Sequence, residues 1–194
     1  MKFKGKKKWA VITISLGLLV IMGIFTIKFE ELSKKDDIKT ISNAGIVFGD
    51  IKAPVKIIEY TDFNCPDCKK INENIEPILL EYIANKKVVL IFKPVNENMY
   101  LNIPKINTED YKEIGKIFNE KEKYINPKSE KYLKSYLGEK LYNKRKNDSK
   151  EIKKEIDYLK INTIPTMYVD NEKMVGIYKK DEFKKIVEGV LKWG

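Results

Sequence analysis

The sequence predicts an α/β domain in which a central mixed sheet is flanked by helices and interrupted by a helical insertion, with one apolar N-terminal segment ahead of it. Three observations lead there. Residues 55–94 alternate a β-branched run, a long helical pattern and a second β-branched run, the order of a right-handed βαβ unit. Within residues 97–160, three segments carry apolar residues at helical spacing. Residues 166–193 read strand, turn, strand, helix.

The N-terminal segment comes first in the chain. Lys2, Lys4, Lys6, Lys7 and Lys8 form a basic tail over residues 1–8, and Trp9 to Ile27 contains no charge. Nineteen residues at about 1.5 Å each span roughly 28 Å, close to the hydrocarbon thickness of a bilayer. Lysines crowd its N-terminal flank, whereas the other flank mixes lysine with Glu30 and Glu31. The positive-inside rule then predicts a single-pass anchor at residues 9–27 with the rest outside the cytoplasm. A cleaved signal peptide is the alternative, but the stretch is longer than a usual signal core and no Ala-x-Ala-like site follows. Residues 28–45, polar and containing Ser33, Asp36, Asp37, Ser42 and Asn43, read as a linker to a domain at 46–194.

Composition narrows the chemistry. The net charge of +10 is uneven, five of the ten charges lying in the first eight residues. The remaining excess is interleaved with acidic residues, the pattern of a solvated lysine-rich surface, and no basic run is interleaved with aromatics as a nucleic-acid platform requires. Histidine is absent, which removes Ser–His and Cys–His pairs and histidine metal ligands. No dimerisation segment is recognisable, which predicts a monomer.

Within the domain, Gly45 to Gly49 predicts a short edge strand and Val55 to Thr61 a strand. Ile71, Ile75, Ile78, Leu79, Leu80 and Ile83 mark a helix, with a kink or restart expected at Pro77. Lys87 to Pro94 is nearly continuous in apolar residues, as in a buried parallel strand. The insertion, at about 97–160, predicts helices over Glu109 to Phe118, Glu130 to Tyr142 and Lys150 to Leu159, with Asn147-Asp148-Ser149 opening the last. Thr166 to Val169 and Met174 to Tyr178 predict two strands, and Lys180 to Trp193 a terminal helix.

Cys65 and Cys68 are the only cysteines, and they follow a strand and open a helix. Unpaired amides and the positive dipole end of a helix N-terminus stabilise a thiolate at the first cysteine. Pro66 takes the first helical position, where its missing N–H costs nothing. The second thiol, one turn along, can resolve a mixed disulfide formed at the first. Cys65 is thus the expected nucleophile and Cys68 the resolving thiol, with Pro66 and Asp67 presented beside them to a substrate. Two alternatives remain. A zinc site needs four ligands and finds two sulfurs here, and a static disulfide across so short a loop adds little stability. A metal-binding or substrate-holding module using Cys65 and Cys68 is the corresponding non-enzymatic reading.

The stretch Val55 to Cys68, VKIIEYTDFNCPDC, resembles the active-site strand and helix start of the thioredoxin superfamily, and Asn162-Thr163-Ile164-Pro165-Thr166 resembles its cis-proline loop. A helical insertion between βαβ and ββα halves is the mark of the DsbA-like branch, and together these features cover residues 46 to 194. The resemblance implies a thioredoxin fold and a thiol–disulfide oxidoreductase whose redox centre is the Cys65–Cys68 pair, with no bound cofactor and no metal. It implies that Pro165 is the cis-proline and that Ile164 offers its backbone to an extended substrate. Glu59, six residues before Cys65, falls where these proteins place a buried acid that can take the proton of Cys68; the alternative is a solvent-facing edge residue. Lys93 on the next strand is a candidate partner for Glu59. The implied partners are cysteine-containing secreted clients and a membrane redox protein that resets the dithiol. Asp67 departs from the histidine that DsbA-type oxidases often carry there. A negative charge beside the thiolate weakens the oxidant, and Ile-Pro-Thr is a thioredoxin-like choice, so reduction or isomerisation stands beside disulfide formation.

Overall fold

A computed structural model describes residues 38–193 of the chain. The anchor expected at residues 9–27 lies outside the described residues. Among those described, no helix is long and apolar enough to cross a membrane.

Five strands form one sheet. They are β1 (Ile46–Phe48), β2 (Val55–Thr61), β3 (Val88–Pro94), β4 (Thr166–Val169) and β5 (Glu172–Val175), in the spatial order β1-β3-β2-β4-β5. Only β2 and β3 are parallel; the other three pairings are antiparallel. Helix α1 (Pro66–Ala84) makes the crossover between β2 and β3. The insertion holds α2 (Glu97–Asn102), α3 (Lys112–Asn119), α4 (Glu130–Leu137) and α5 (Glu139–Tyr158), and α6 (Lys180–Trp193) closes the domain.

The two-residue period of the strands sorts side chains into two layers. Ile57, Leu90, Phe92, Met167 and Val169 face α1 and pack on Ile71, Ile75, Leu79, Ile114, Phe118, Phe183 and Val187. Ile58, Tyr60, Ile91 and Tyr168 face the other way and pack on Ile152 and Leu159 of α5 and on Ile38 and Ile41. The central strands are buried on both faces, which is why β3 reads as a continuous apolar run.

Four expectations need correction. First, the helix does not restart at Pro77, since α1 continues through it: the proline is exposed, so the hydrogen bond it forfeits is on the solvent side. Second, there is no helix start at Asn147-Asp148-Ser149, which lies inside α5. Asp148 accepts hydrogen bonds from Tyr100 and Lys144, and the Ser149 hydroxyl donates to the Arg145 carbonyl, so side chains that favour helix starts are occupied by other partners. The break falls instead at Gly138, whose φ of 82° separates α4 from α5. Third, the polar stretch up to residue 45 is not all linker, because Ile38 and Ile41 are buried and Ser42 is bonded through its amide and hydroxyl to the Glu155 carboxylate. Fourth, Lys93 is no partner of Glu59. The two side chains point to opposite faces of the sheet, since Tyr60, not Glu59, pairs with Lys93. Lys93 bonds the Glu155 carboxylate and the Ser42 carbonyl.

Candidate active site

The loop leaving β2 is shaped by its own residues. Asp62 accepts from the amides of Asn64 and Cys65, and Phe63 is buried against Phe92 and Phe118 at ring distances of 5.5 and 4.9 Å. This holds Cys65 at the N-cap of α1 in extended backbone geometry. Its sulfur accepts the Cys68 amide at 3.4 Å, so a helix donor is aimed at the atom that must carry negative charge. Pro66 and Asp67 are exposed on the first turn beside it. Both cysteines are free thiols; Cys65 is half-buried and Cys68 fully buried.

Across from the dithiol, the Ile164–Pro165 peptide is cis. The Ile164 carbonyl stands 4.0 Å from Cys65 Sγ. Pro165 is buried, its carbonyl accepts from the Gly176 amide at 2.9 Å, and Thr166 beyond it enters β4 opposite Tyr60. Every residue from Cys65 to Cys68 and the Ile164–Pro165 pair therefore meet at one end of the sheet, the carboxyl end of β2.

Glu59 lies on the α1 face of β2 and is completely buried, and neither carboxylate oxygen has a hydrogen-bond partner. Burial pushes its pKa up to about 8. Burial also pushes the Cys68 thiol well above the usual thiol range, and the nearby Cys65 adds to this. The Thr61 hydroxyl beside them pulls both titrations down. Around the acid stand two further groups, Tyr111 and Tyr178, which the sequence pattern marks only as part of a helix and of a strand. Both feel the charge of Glu59. Nothing in the local pattern marks them for the site, because they come from the insertion and from the loop after β5. Among the described residues no group of three or more Cys, Asp or Glu is placed to hold a metal ion.

The family model described as Thioredoxin matches residues 42–189. The chain belongs to the thioredoxin family. Among curated proteins, the probable disulfide bond formation protein D of Bacillus anthracis is 32% identical over 95 residues, which is 47% of this chain and 43% of that protein. The chain thus matches less than half the length of that relative. Among solved structures, a linker-deleted variant of ScsC from Proteus mirabilis superposes with a TM-score of 0.57 at 16% identity, covering 100% of this chain and 99% of that one. The alpha-DsbA1 of Wolbachia pipientis superposes with a TM-score of 0.54 at 23% identity over 76% of this chain and 90% of that one. At these identities the structural likeness speaks for the fold. As a thioredoxin-family site, the arrangement offers a half-exposed thiol on a helix N-terminus, a buried second thiol one turn behind, an unpartnered acid beneath, and a backbone carbonyl facing the first sulfur.

Proposed function

We propose that this chain is an extracytoplasmic thiol–disulfide oxidoreductase that forms disulfide bonds in secreted proteins, held at the membrane by residues 9–27. The observation that carries the reading is the position of Cys65, at a helix N-cap with its sulfur facing the Ile164 carbonyl and Cys68 buried behind it. The Bacillus anthracis relative, named for disulfide bond formation, supports the donor direction. The uncharged stretch Trp9 to Ile27 with its lysine-rich flank supports the anchor and the address.

In this reading a client thiolate attacks Cys65 of the oxidised enzyme. The Cys65–Cys68 bond breaks, its electron pair goes to the Cys68 sulfur, and that sulfur takes the proton of the Glu59 carboxyl. A second client thiolate then attacks the client sulfur of the mixed disulfide, which closes the client disulfide and releases Cys65 as thiolate. The enzyme is left as the dithiol. A membrane redox partner carrying a disulfide resets it by the reverse course, in which Glu59 as carboxylate receives the Cys68 proton while Cys68 closes on Cys65. Ile164 binds the client backbone in a strand-like contact, Pro165 positions it, and exposed Pro66 and Asp67 border the entry. The dithiol is the redox centre, so the reading calls for no cofactor, and it takes the working unit as a monomer.

Substitution separates the roles of the two thiols. Cys68→Ser should accumulate client proteins linked to Cys65, visible as adducts that reductant dissolves, whereas Cys65→Ser should form none. Equal trapping by both variants would contradict the assignment. A reductase is the second reading, favoured by Asp67 on the exposed first turn of α1; the reduction potential separates the two.

A further inference from the structure

The orphaned Glu59 carboxyl sits in a layer with two tyrosine hydroxyls whose hydrogen bonds leave capacity unused. Met167 is directly opposite Glu59 in the β2–β4 register, so their Cβ atoms lie roughly 5 Å apart on the same face. The Tyr178 hydroxyl stands 3.1 Å from Met167 Sδ, a weak acceptor that gains little from the contact. On the other side, Asn72 lies one turn beyond Cys68 on α1. Its side-chain amide donates to the Tyr111 hydroxyl oxygen at 2.7 Å, which leaves the Tyr111 proton directed elsewhere. Tyr111 and Tyr178 are both buried in the core cluster that contains Cys68 and Met167.

Few other groups face the acid. Its register partners are Phe92 of β3 and Met167 of β4, Thr61 follows two residues on along the same face of β2, and Cys68 of α1 lies in the core cluster on that face of the sheet. Lys93 is turned to the opposite face of the sheet. Among the described residues no cation stands with Glu59, so an ionised carboxylate has hydroxyl donors to turn to: Thr61 on its own strand, and Tyr111 and Tyr178, which feel its charge.

We propose that Tyr111 and Tyr178 are positioning residues for proton transfer: when Glu59 is ionised, its carboxylate turns onto their hydroxyls, and this is what lets a fully buried acid exchange a proton with Cys68. The inference rests on the assignment of Glu59 as the proton partner of Cys68. In the resetting direction Cys68–SH gives its proton to the Glu59 carboxylate as the Cys65–Cys68 bond forms and the electron pair of the broken mixed disulfide leaves with the partner sulfur. In the client-oxidising direction the same proton returns to Cys68. Tyr178 trades its thioether contact for a charged acceptor, and Tyr111 donates while Asn72 continues to hold its oxygen. Both hydroxyls keep their protons throughout.

The test is the pH dependence of ring closure in the full chain. The reduced protein is mixed with oxidised glutathione, and the decay of the Cys65–glutathione mixed disulfide is followed by acid quench and mass spectrometry from pH 5 to 10. Tyr111→Phe and Tyr178→Phe should each raise the midpoint of the closure rate by about one unit and slow closure at pH 7 about tenfold, the change expected when a charged buried acid loses a donor. Met167→Leu removes the competing acceptor and should move the midpoint the other way, a sign that loosened packing does not produce. In a Glu59→Gln background neither tyrosine substitution should shift the profile. Midpoints unchanged in both phenylalanine variants, with Glu59→Gln still abolishing the transition, would overturn the inference and leave Glu59 in place. A transition that survives Glu59→Gln would overturn the role of Glu59 and this inference with it.

Discussion

A carboxyl with neither solvent nor a hydrogen-bond partner costs the folded state whenever it is charged. Glu59 is such a group, its pKa raised from 4.5 to about 8 by burial. Between those two values the folded protein keeps a proton that the unfolded chain has released. Stability is therefore full below the unfolded value and falls as pH rises through the window, by about 1.4 kcal/mol per unit. Glu59→Gln should accordingly stabilise the reduced protein by about 3 kcal/mol at pH 7 and by almost nothing at pH 4. Urea unfolding at the two pH values measures this, and an equal effect at both would contradict a raised pKa. In the proposed reading the same substitution also slows exchange at Cys68, a trade of stability for chemistry. Cys65 and Cys68 were legible from spacing alone because helix-start chemistry is local. Tyr111 and Tyr178 were not, because only the packing of the insertion and of the β5–α6 loop against α1 brings them beside Glu59.

At the scale of elements, a second polar cluster lies on the face of the sheet opposite the dithiol. The Glu155 carboxylate of α5 accepts from Tyr60, from the amide and hydroxyl of Ser42, and from buried Lys93. Lys56 holds the Ile41 carbonyl and Lys144 that of Gly45. The segment before β1 is thus strapped to β2, β3 and α5 by charged side chains. Gly45 leads into β1 with a φ of 125°, where an added Cβ would stand 2.5 Å from the Phe92 carbonyl. Glu155→Ala leaves Lys93 buried without its carboxylate and should cost about 3–5 kcal/mol. A lower urea midpoint with dithiol exchange unchanged in the folded protein is the expected result. An unaltered midpoint would show that the cluster contributes no net stability. The strands of the βαβ and ββα halves were readable because their periods are strong. The strap was not, since Ser42 and Asn43 look like linker until Glu155, far along the chain, is placed against them. The α4–α5 boundary failed for a related reason: Asp148 and Ser149 carry helix-start chemistry but spend it on Tyr100, Lys144 and Arg145.

For the whole molecule, the sheet brings a dithiol, a cis peptide and a buried acid to one end, and the strap holds residues 38–45 onto the domain. In the proposed reading that segment leads to the anchor, and the domain works on secreted clients. In that reading electrons flow from client to enzyme, a direction favoured by the helical insertion and opposed by the charge of Asp67. The most direct test of that claim is the equilibrium of the full chain with glutathione redox buffers, with the Cys65–Cys68 state read by thiol trapping. A disulfide donor predicts a potential of about −120 to −180 mV, the range of strong oxidants and isomerases. A value near about −270 mV, that of thioredoxin, would contradict the claim and make the same fold a reductant.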